Sequence, residues 1–215
     1  MKYTIAKQGY PYIILFIFSG FLAMPFSRTG AGFLFFLAIY MAFFFRKPVI
    51  SIQVRDGELV SPAWGKITSI EDIQKQGKPY KTISIFLSVF DVHMQCIPHH
   101  GTVQDIRYKK GRFINAIKPD SSIHNEQNSL AMKINRDDTV EIRQIAGLIA
   151  RRISCWAQIG DKVHAGDYYG LIHFGSRVEV EIPSGYELLV KTGQRVQGGK
   201  TILAKHPGNE NNKVS

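Results

Sequence analysis

Hydrophobic and polar positions divide the chain near Pro48. Between Tyr10 and Phe45 the sole charged residue is Arg28, and two apolar runs, Pro11–Phe26 and Gly30–Phe45, flank the turn-like Ser27-Arg28-Thr29-Gly30. Each run is close to the lower limit for a spanning helix, about 17 residues. Residues 1–48 are therefore predicted to form a hydrophobic helical hairpin that spans or re-enters a membrane. Lys2 and Lys7 precede the first run and Arg46 and Lys47 follow the second. Basic residues at both outer ends place those ends on the cytoplasmic face of the cell membrane. No small-x-small cleavage site follows the first run, which argues against a signal peptide.

From residue 49 to 215 the pattern changes. Short β-branched and aromatic runs, Thr82–Leu87, Val140–Ile145 and Val178–Ile182, alternate with Gly, Asp, Asn and Pro, as strands and turns do. The fold class is mainly β. Gly160-x-x-Val163-x-x-Gly166 recurs as Gly193-x-x-Val196-x-x-Gly199, each copy followed by a hydrophobic run, Tyr168–Phe174 and Thr201–Ala204. Such turn-strand units resemble the halves of a hammerhead barrel, so a hammerhead or barrel-like β body is expected. A chance coincidence of Gly-rich turns is the alternative. The absence of a lysine at a suitably flanked hairpin tip argues against a lipoyl-type carrier.

The formal charge of +10 favours an anionic partner. The basic residues are scattered and no nucleic-acid-binding motif occurs. With an apolar N-terminus, an anionic phospholipid membrane is the better fit. Cys96 and Cys155 are too few for a disulfide framework and lack metal-ligand spacing, so both read as reduced thiols and no metal is expected.

Near the end of the chain stands Leu171-Ile172-His173-Phe174-Gly175-Ser176-Arg177-Val178-Glu179-Val180-Glu181-Ile182-Pro183. A Gly-Ser pair alone reads as a turn. Other blocks accompany it in order: Phe43-Phe44-Phe45-Arg46-Lys47-Pro48, Ser61-Pro62-Ala63-Trp64-Gly65-Lys66-Ile67, Val89-Phe90-Asp91-Val92-His93, Gly111–Ala116, Asn125-Glu126-Gln127-Asn128 and Ala146–Arg152. Together they resemble the short, bacterial and archaeal branch of the pyruvoyl-dependent phosphatidylserine decarboxylases, over nearly the whole chain.

The resemblance implies cleavage between Gly175 and Ser176, giving a large and a small chain, with Ser176 converted to a pyruvoyl cofactor. Ser176 Oγ would attack the Gly175 carbonyl, and the resulting ketone would serve as the electron sink for loss of CO₂ from phosphatidylserine. His93 matches the family's histidine block and is the expected base and acid, with His173 in reserve. His99, His100 and His124 lie in polar, loop-like sequence and read as surface residues. Trp64 stands where the family has an aspartate that orients the histidine-serine pair. Tryptophan cannot accept a proton. Asp91, two residues from His93 and on the same face if the segment is a strand, is the expected substitute; a solvated carboxylate is its alternative role. Cys96 stands where some relatives have a second histidine. Arg151, Arg152 and Asn125 are weaker candidates for contact with the lipid phosphate or carboxylate. The Trp64 departure also admits an unprocessed, lipid-binding homologue, and the same chemistry would serve archaeal ether lipids.

Overall fold

The computed structural model describes residues 2–52, 54–116, 120–148, 152–173 and 175–207. Its contacts divide into two units, residues 1–49 and 50–215. In the first, strand β1 (Tyr3–Ile5) and a 3-10 turn over Lys7–Gly9 lead into helices α1 (Tyr10–Ala23) and α2 (Arg28–Phe44), and strand β2 (Arg46–Pro48) returns antiparallel to β1. Proline in the first turn of α1 gives up an N–H that has no helical partner there. Ser27 caps α2, its Oγ accepting the Gly30 N–H at 3.1 Å. Arg28, Thr29 and Gly30, expected as the connecting turn, are thus the first turn of α2. Ala31, Ala38, Met41 and Phe44 form the buried stripe of α2. Gly20 admits Phe35, since a Cβ there would lie 2.7 Å from its ring. The remaining faces expose Ile14, Phe18, Leu22, Phe33, Phe36 and Ile39. No helix among the described residues is long and apolar enough to cross a membrane. At 1.5 Å per residue the two helices measure about 21 and 26 Å, short of the roughly 30 Å hydrocarbon core.

The second unit is mainly β, as its pattern predicts. Its elements are β3 (Glu58–Val60), β4 (Gly65–Lys75), β5 (Lys78–Leu87), β6 (Met94–Cys96), β7 (Gly101–Lys109), the short helix α3 (Ser121–His124), β8 (Gln127–Lys133), β9 (Thr139–Ala146), β10 (Ile153–Cys155), β11 (Lys162–Val163), β12 (Tyr168–Ile172), β13 (Ser176–Pro183), β14 (Glu187–Leu188), β15 (Arg195–Val196) and β16 (Ile202–Lys205). One sheet runs β11-β7-β8-β9-β13-β5-β4-β15 and curls into a half-barrel. Two three-stranded sheets, β10-β12-β6 and β14-β16-β3, complete the unit. The hairpin between β4 and β5 turns on Gln76 and Gly77, both at positive φ, the conformation a tight hairpin needs.

The glycine repeat has a structural counterpart. Gly160 donates to Val103 O and Gly193 to Ile67 O, each at 2.8 Å, while Gly166 donates to Ile97 O and Gly199 to Ser61 O, also at 2.8 Å. All four glycines have positive φ. The repeat therefore clips two similar corners, one at the start of β7 and one at the start of β4. Gly101 and Gly65 open those strands, and a Cβ on either would lie within 2.3 Å of a backbone carbonyl, Lys133 O or Phe86 O.

Strand β13 lies at the centre of the large sheet, paired with β5 on one side and β9 on the other. Ser176, Val178, Val180 and Ile182 enter the core. The opposite face is charged but equally buried, with Arg177, Glu179 and Glu181 at most 5% exposed. The carboxylates are neutralised by neighbours: Arg143 meets Glu179 at 3.1 Å and Glu181 at 2.5 Å, and Lys75 bridges Glu181 and Glu141. Ser122 of α3 donates to Glu179.

Candidate active site

Pairing with both neighbours fixes Ser176 at the first position of β13, opposite Leu87 of β5 and Ala146 of β9. The serine is fully buried, and its Oγ has no hydrogen-bond partner among the described residues. A buried hydroxyl in that state costs about 1–3 kcal/mol, a penalty that an alanine would avoid. Gly175 precedes it at φ +66° with nothing within 4 Å of a would-be Cβ. The left-handed backbone, rather than lack of space, is what calls for glycine there. Crowding comes from the other side: a Cβ on Gly147 would lie 2.2 Å from the Gly175 carbonyl oxygen. Gly147 thus lets the end of β9 close onto the carbonyl of the Gly175–Ser176 peptide.

His93 is fully buried beside this junction. Its Nε2 accepts the Gly175 N–H at 3.2 Å, and its Nδ1 meets the Asp91 main-chain carbonyl at 3.0 Å. A carbonyl can only accept, so the proton sits on Nδ1 and the lone pair on Nε2 faces the Gly175–Ser176 segment. Neutral imidazole in that tautomer is the form a general base requires.

Asp91 departs from expectation. Asp91 lies in a bend, and Val92 and His93 lie in irregular chain ahead of β6 rather than in a strand, so the argument that both side chains share a strand face does not apply. The Asp91 carboxylate accepts from Ser88 N at 2.9 Å and Ser88 Oγ at 2.7 Å, and pairs with Arg195. The side chain closes the Ser88–Asp91 turn; the main-chain oxygen is what touches the imidazole. Trp64 is 7% exposed and stacks on Tyr168, ring centroids 6.2 Å apart. Gly198 gives it room, since a Cβ there would come within 2.4 Å of the indole. The position at which the resemblance implies a carboxylate is filled as packing.

His173 is buried, and its main-chain N–H donates to Arg152 O at 3.1 Å. Burial, then the Arg152 cation, lowers its pKa from the ordinary histidine value. Burial also raises the pKa of Cys96 and Cys155, keeping both as thiols. His99, expected at the surface, is instead buried, with Nδ1 on His100 O at 2.7 Å.

The weaker substrate candidates separate. Asn125 is fully buried; its amide spans Ile114 N, Ile114 O and Ala146 O at 2.7–2.9 Å. It pins the residue opposite Ser176 and has spent both N–H donors that a lipid phosphate or carboxylate would need, which corrects the expectation. Glu126, Gln127 and Asn128 are buried with it. Arg152 is exposed, while Arg151 and Phe174 lie outside the described residues. Sequence reasoning missed Arg195, which is 104 positions from Asp91, and missed the reason for Gly147. A glycine whose task is a close approach carries no local signal beyond being glycine.

A model of the phosphatidylserine decarboxylase family matches residues 37–204. Among curated proteins, the chain is 36% identical to a phosphatidylserine decarboxylase proenzyme of Wolbachia sp. subsp. Brugia malayi, over 94% of this chain and 90% of that one. It is 40% identical to the proenzyme of Trichlorobacter lovleyi, over 94% and 96%. It is 44% identical to that of Nocardia farcinica, over 75% and 70%. Extended agreement of this kind, on a mainly β chain with a buried serine after a glycine that faces a histidine, leads to one assignment: the chain belongs to the phosphatidylserine decarboxylase family.

Proposed function

We propose that the chain is a proenzyme that cuts itself between Gly175 and Ser176 and then decarboxylates phosphatidylserine to phosphatidylethanolamine. The observation that carries this reading is the buried Ser176 Oγ, without a partner among the described residues, next to a left-handed Gly175 whose N–H is held by His93 Nε2. His93 turns from that N–H to take the Ser176 proton, and Oγ attacks the Gly175 carbonyl carbon, exchanging amide for ester. Removal of the Ser176 α-proton then expels the Gly175 carboxylate with the upstream chain. The dehydroalanine left behind takes up water and releases ammonia, giving a pyruvoyl terminus. Once formed, that group supplies a ketone that draws electrons from the carbon losing CO₂.

This chain's residues hold the surroundings fixed. Leu87 and Ala146 frame the residue, Gly147 admits the carbonyl, and buried surroundings exclude water, which strengthens each polar contact. The names of the bacterial relatives favour phosphatidylserine over an archaeal ether lipid. Exposed apolar residues of α1 and α2, with helices too short to span, support lodging in one leaflet of an anionic membrane, with the basic ends at the cytoplasmic face.

Intact-mass spectrometry of the purified full-length chain tests the proposal. Two species are expected, Met1–Gly175 and a smaller one with a blocked, ketone-bearing N-terminus, while Ser176→Ala should stay whole and inactive. A single uncut wild-type chain after incubation with phosphatidylserine vesicles would refute self-processing.

A further inference from the structure

Among the buried amide side chains of the second unit, Asn128 of β8, Gln144 of β9 and Gln95 of β6 form a series, the last two with no exposed surface. Buried amides are costly unless fully paired. These are paired in series. Asn128 Nδ2 donates to Gln144 Oε1 at 3.2 Å, Gln144 Nε2 to Gln95 Oε1 at 2.8 Å, and Gln95 Nε2 to the main-chain carbonyl of His93 at 2.7 Å. Every link donates in the same direction and the series ends on the histidine that faces Gly175.

The same carbonyl receives a second bond, from Ile172 N–H at 3.2 Å. Ile172 is the last residue of β12, three positions before Gly175. His93 and the segment leading to the scissile peptide are therefore tied to one oxygen, and the amide series supports that oxygen from behind. Room for it has been kept at Gly170, the register partner of Gln95, where a Cβ would lie 2.6 Å from Gln144 Nε2. An apolar trio at these three positions would fill the wall without any pairing requirement.

We infer that Gln144 and Gln95 are positioning residues for self-cleavage: through the His93 carbonyl they hold the imidazole so that Nε2 meets the Gly175 N–H. The inference rests on the reading of His93 given above. A misplacement of about 1 Å can cost up to about 10²-fold in rate, so Gln144→Met and Gln95→Met, which nearly keep side-chain volume, should each slow self-cleavage by roughly 10- to 100-fold. The double variant should be no slower than the worse single, because breaking one series twice does not add.

Geometry can be read without activity. In full-length Ser176→Ala protein, which stays uncut, amide hydrogen exchange at Gly175 reports the bond to Nε2. Gln144→Met should lower its protection at least about tenfold while Ile83 and Ile85 of β5 are unchanged, because only local opening changes. Unchanged protection at Gly175, or an equal fall at all these amides, overturns the inference. Additive rate effects in the double variant also overturn it, and Gln95→Met supplies the same test if Gln144→Met does not fold. An uncut wild-type chain would instead sink the self-processing reading and leave the exchange result to stand.

Discussion

Asp91→Asn separates two roles for the residue beside His93. Were the carboxylate the partner of the imidazole, as the replacement of the family's aspartate by Trp64 leads one to expect, its neutralisation would be severe; removing an orienting carboxylate costs about 10⁴-fold in serine proteases. In this structure the imidazole instead rests on the Asp91 main-chain carbonyl, at 3.0 Å, and the substitution leaves that oxygen in place. What changes is the turn. Asparagine keeps an oxygen for the Ser88 N–H but loses the charge that faces Arg195. Arg195 is 67% exposed, so the ion pair is worth at most about 1 kcal/mol. Weakening the charge-assisted bonds to Ser88 adds about 1 kcal/mol. A total near 2 kcal/mol corresponds to a fall in Tm of about 4–8 °C for a chain of this size. The rate of appearance of the small chain, followed by intact mass at a temperature well below either Tm, should fall by less than about tenfold, far from the serine-protease figure. A fall of 10³-fold or more with the fold intact would show that the carboxylate supports the imidazolium, and the main-chain account would be wrong.

Other substitutions test the surroundings of the junction. Gly147→Ala places a Cβ 2.2 Å from the Gly175 carbonyl oxygen and 3.3 Å from Ala116 Cβ; loss of processing with destabilisation of about 2 kcal/mol or more is expected by chemical denaturation, and normal cleavage would contradict the close approach. Trp64→Asp restores the residue type of the family but removes the indole from Tyr168 and Gly198, so a loss of about 3–5 kcal/mol is expected with no faster cleavage; a faster-cutting, equally stable variant would reverse that conclusion. His173 has a pKa lowered by burial and by Arg152. Its neutral form is thus favoured in the folded state, while the unfolded chain takes up a proton near the ordinary value of 6.5. Its contribution to stability is present above that pH and lost as pH falls below it. Tm scans from pH 7.5 to about 5.5 should show a decline that His173→Gln flattens, and parallel curves would refute the assignment.

How far the sequence discloses this site depends on the range of each interaction. The Gly-Ser junction, the histidine segment and the glycine repeat are local patterns, and each lies at a defined place in the fold. Strand β13 shows where local reading stops. Its Arg177, Glu179 and Glu181 alternate with Val178, Val180 and Ile182, the pattern of a strand with one wet face. The polar face is nevertheless buried, because Lys75, Arg107, Arg143 and Ser122 come from four distant segments to pair with it and with Glu141. No periodicity encodes partners that arrive across a sheet. The same limit explains Asn125, a candidate for lipid contact by sequence whose amide is instead bonded to Ile114 and Ala146. It also explains Asp91, where the sequence suggests a strand but the chain bends, so that a main-chain oxygen faces His93. Trp64 is the instructive case. Its side chain can neither charge nor orient the imidazole, so residue type alone argues against self-cleavage. A backbone carbonyl can set the Nδ1–H tautomer without a carboxylate. What it cannot supply is a full negative charge to stabilise the imidazolium that the proposed transfer of the Ser176 proton would form. On the proposed mechanism, cleavage of this chain should therefore be slow for want of that charge, and still faster than in a His93→Ala variant.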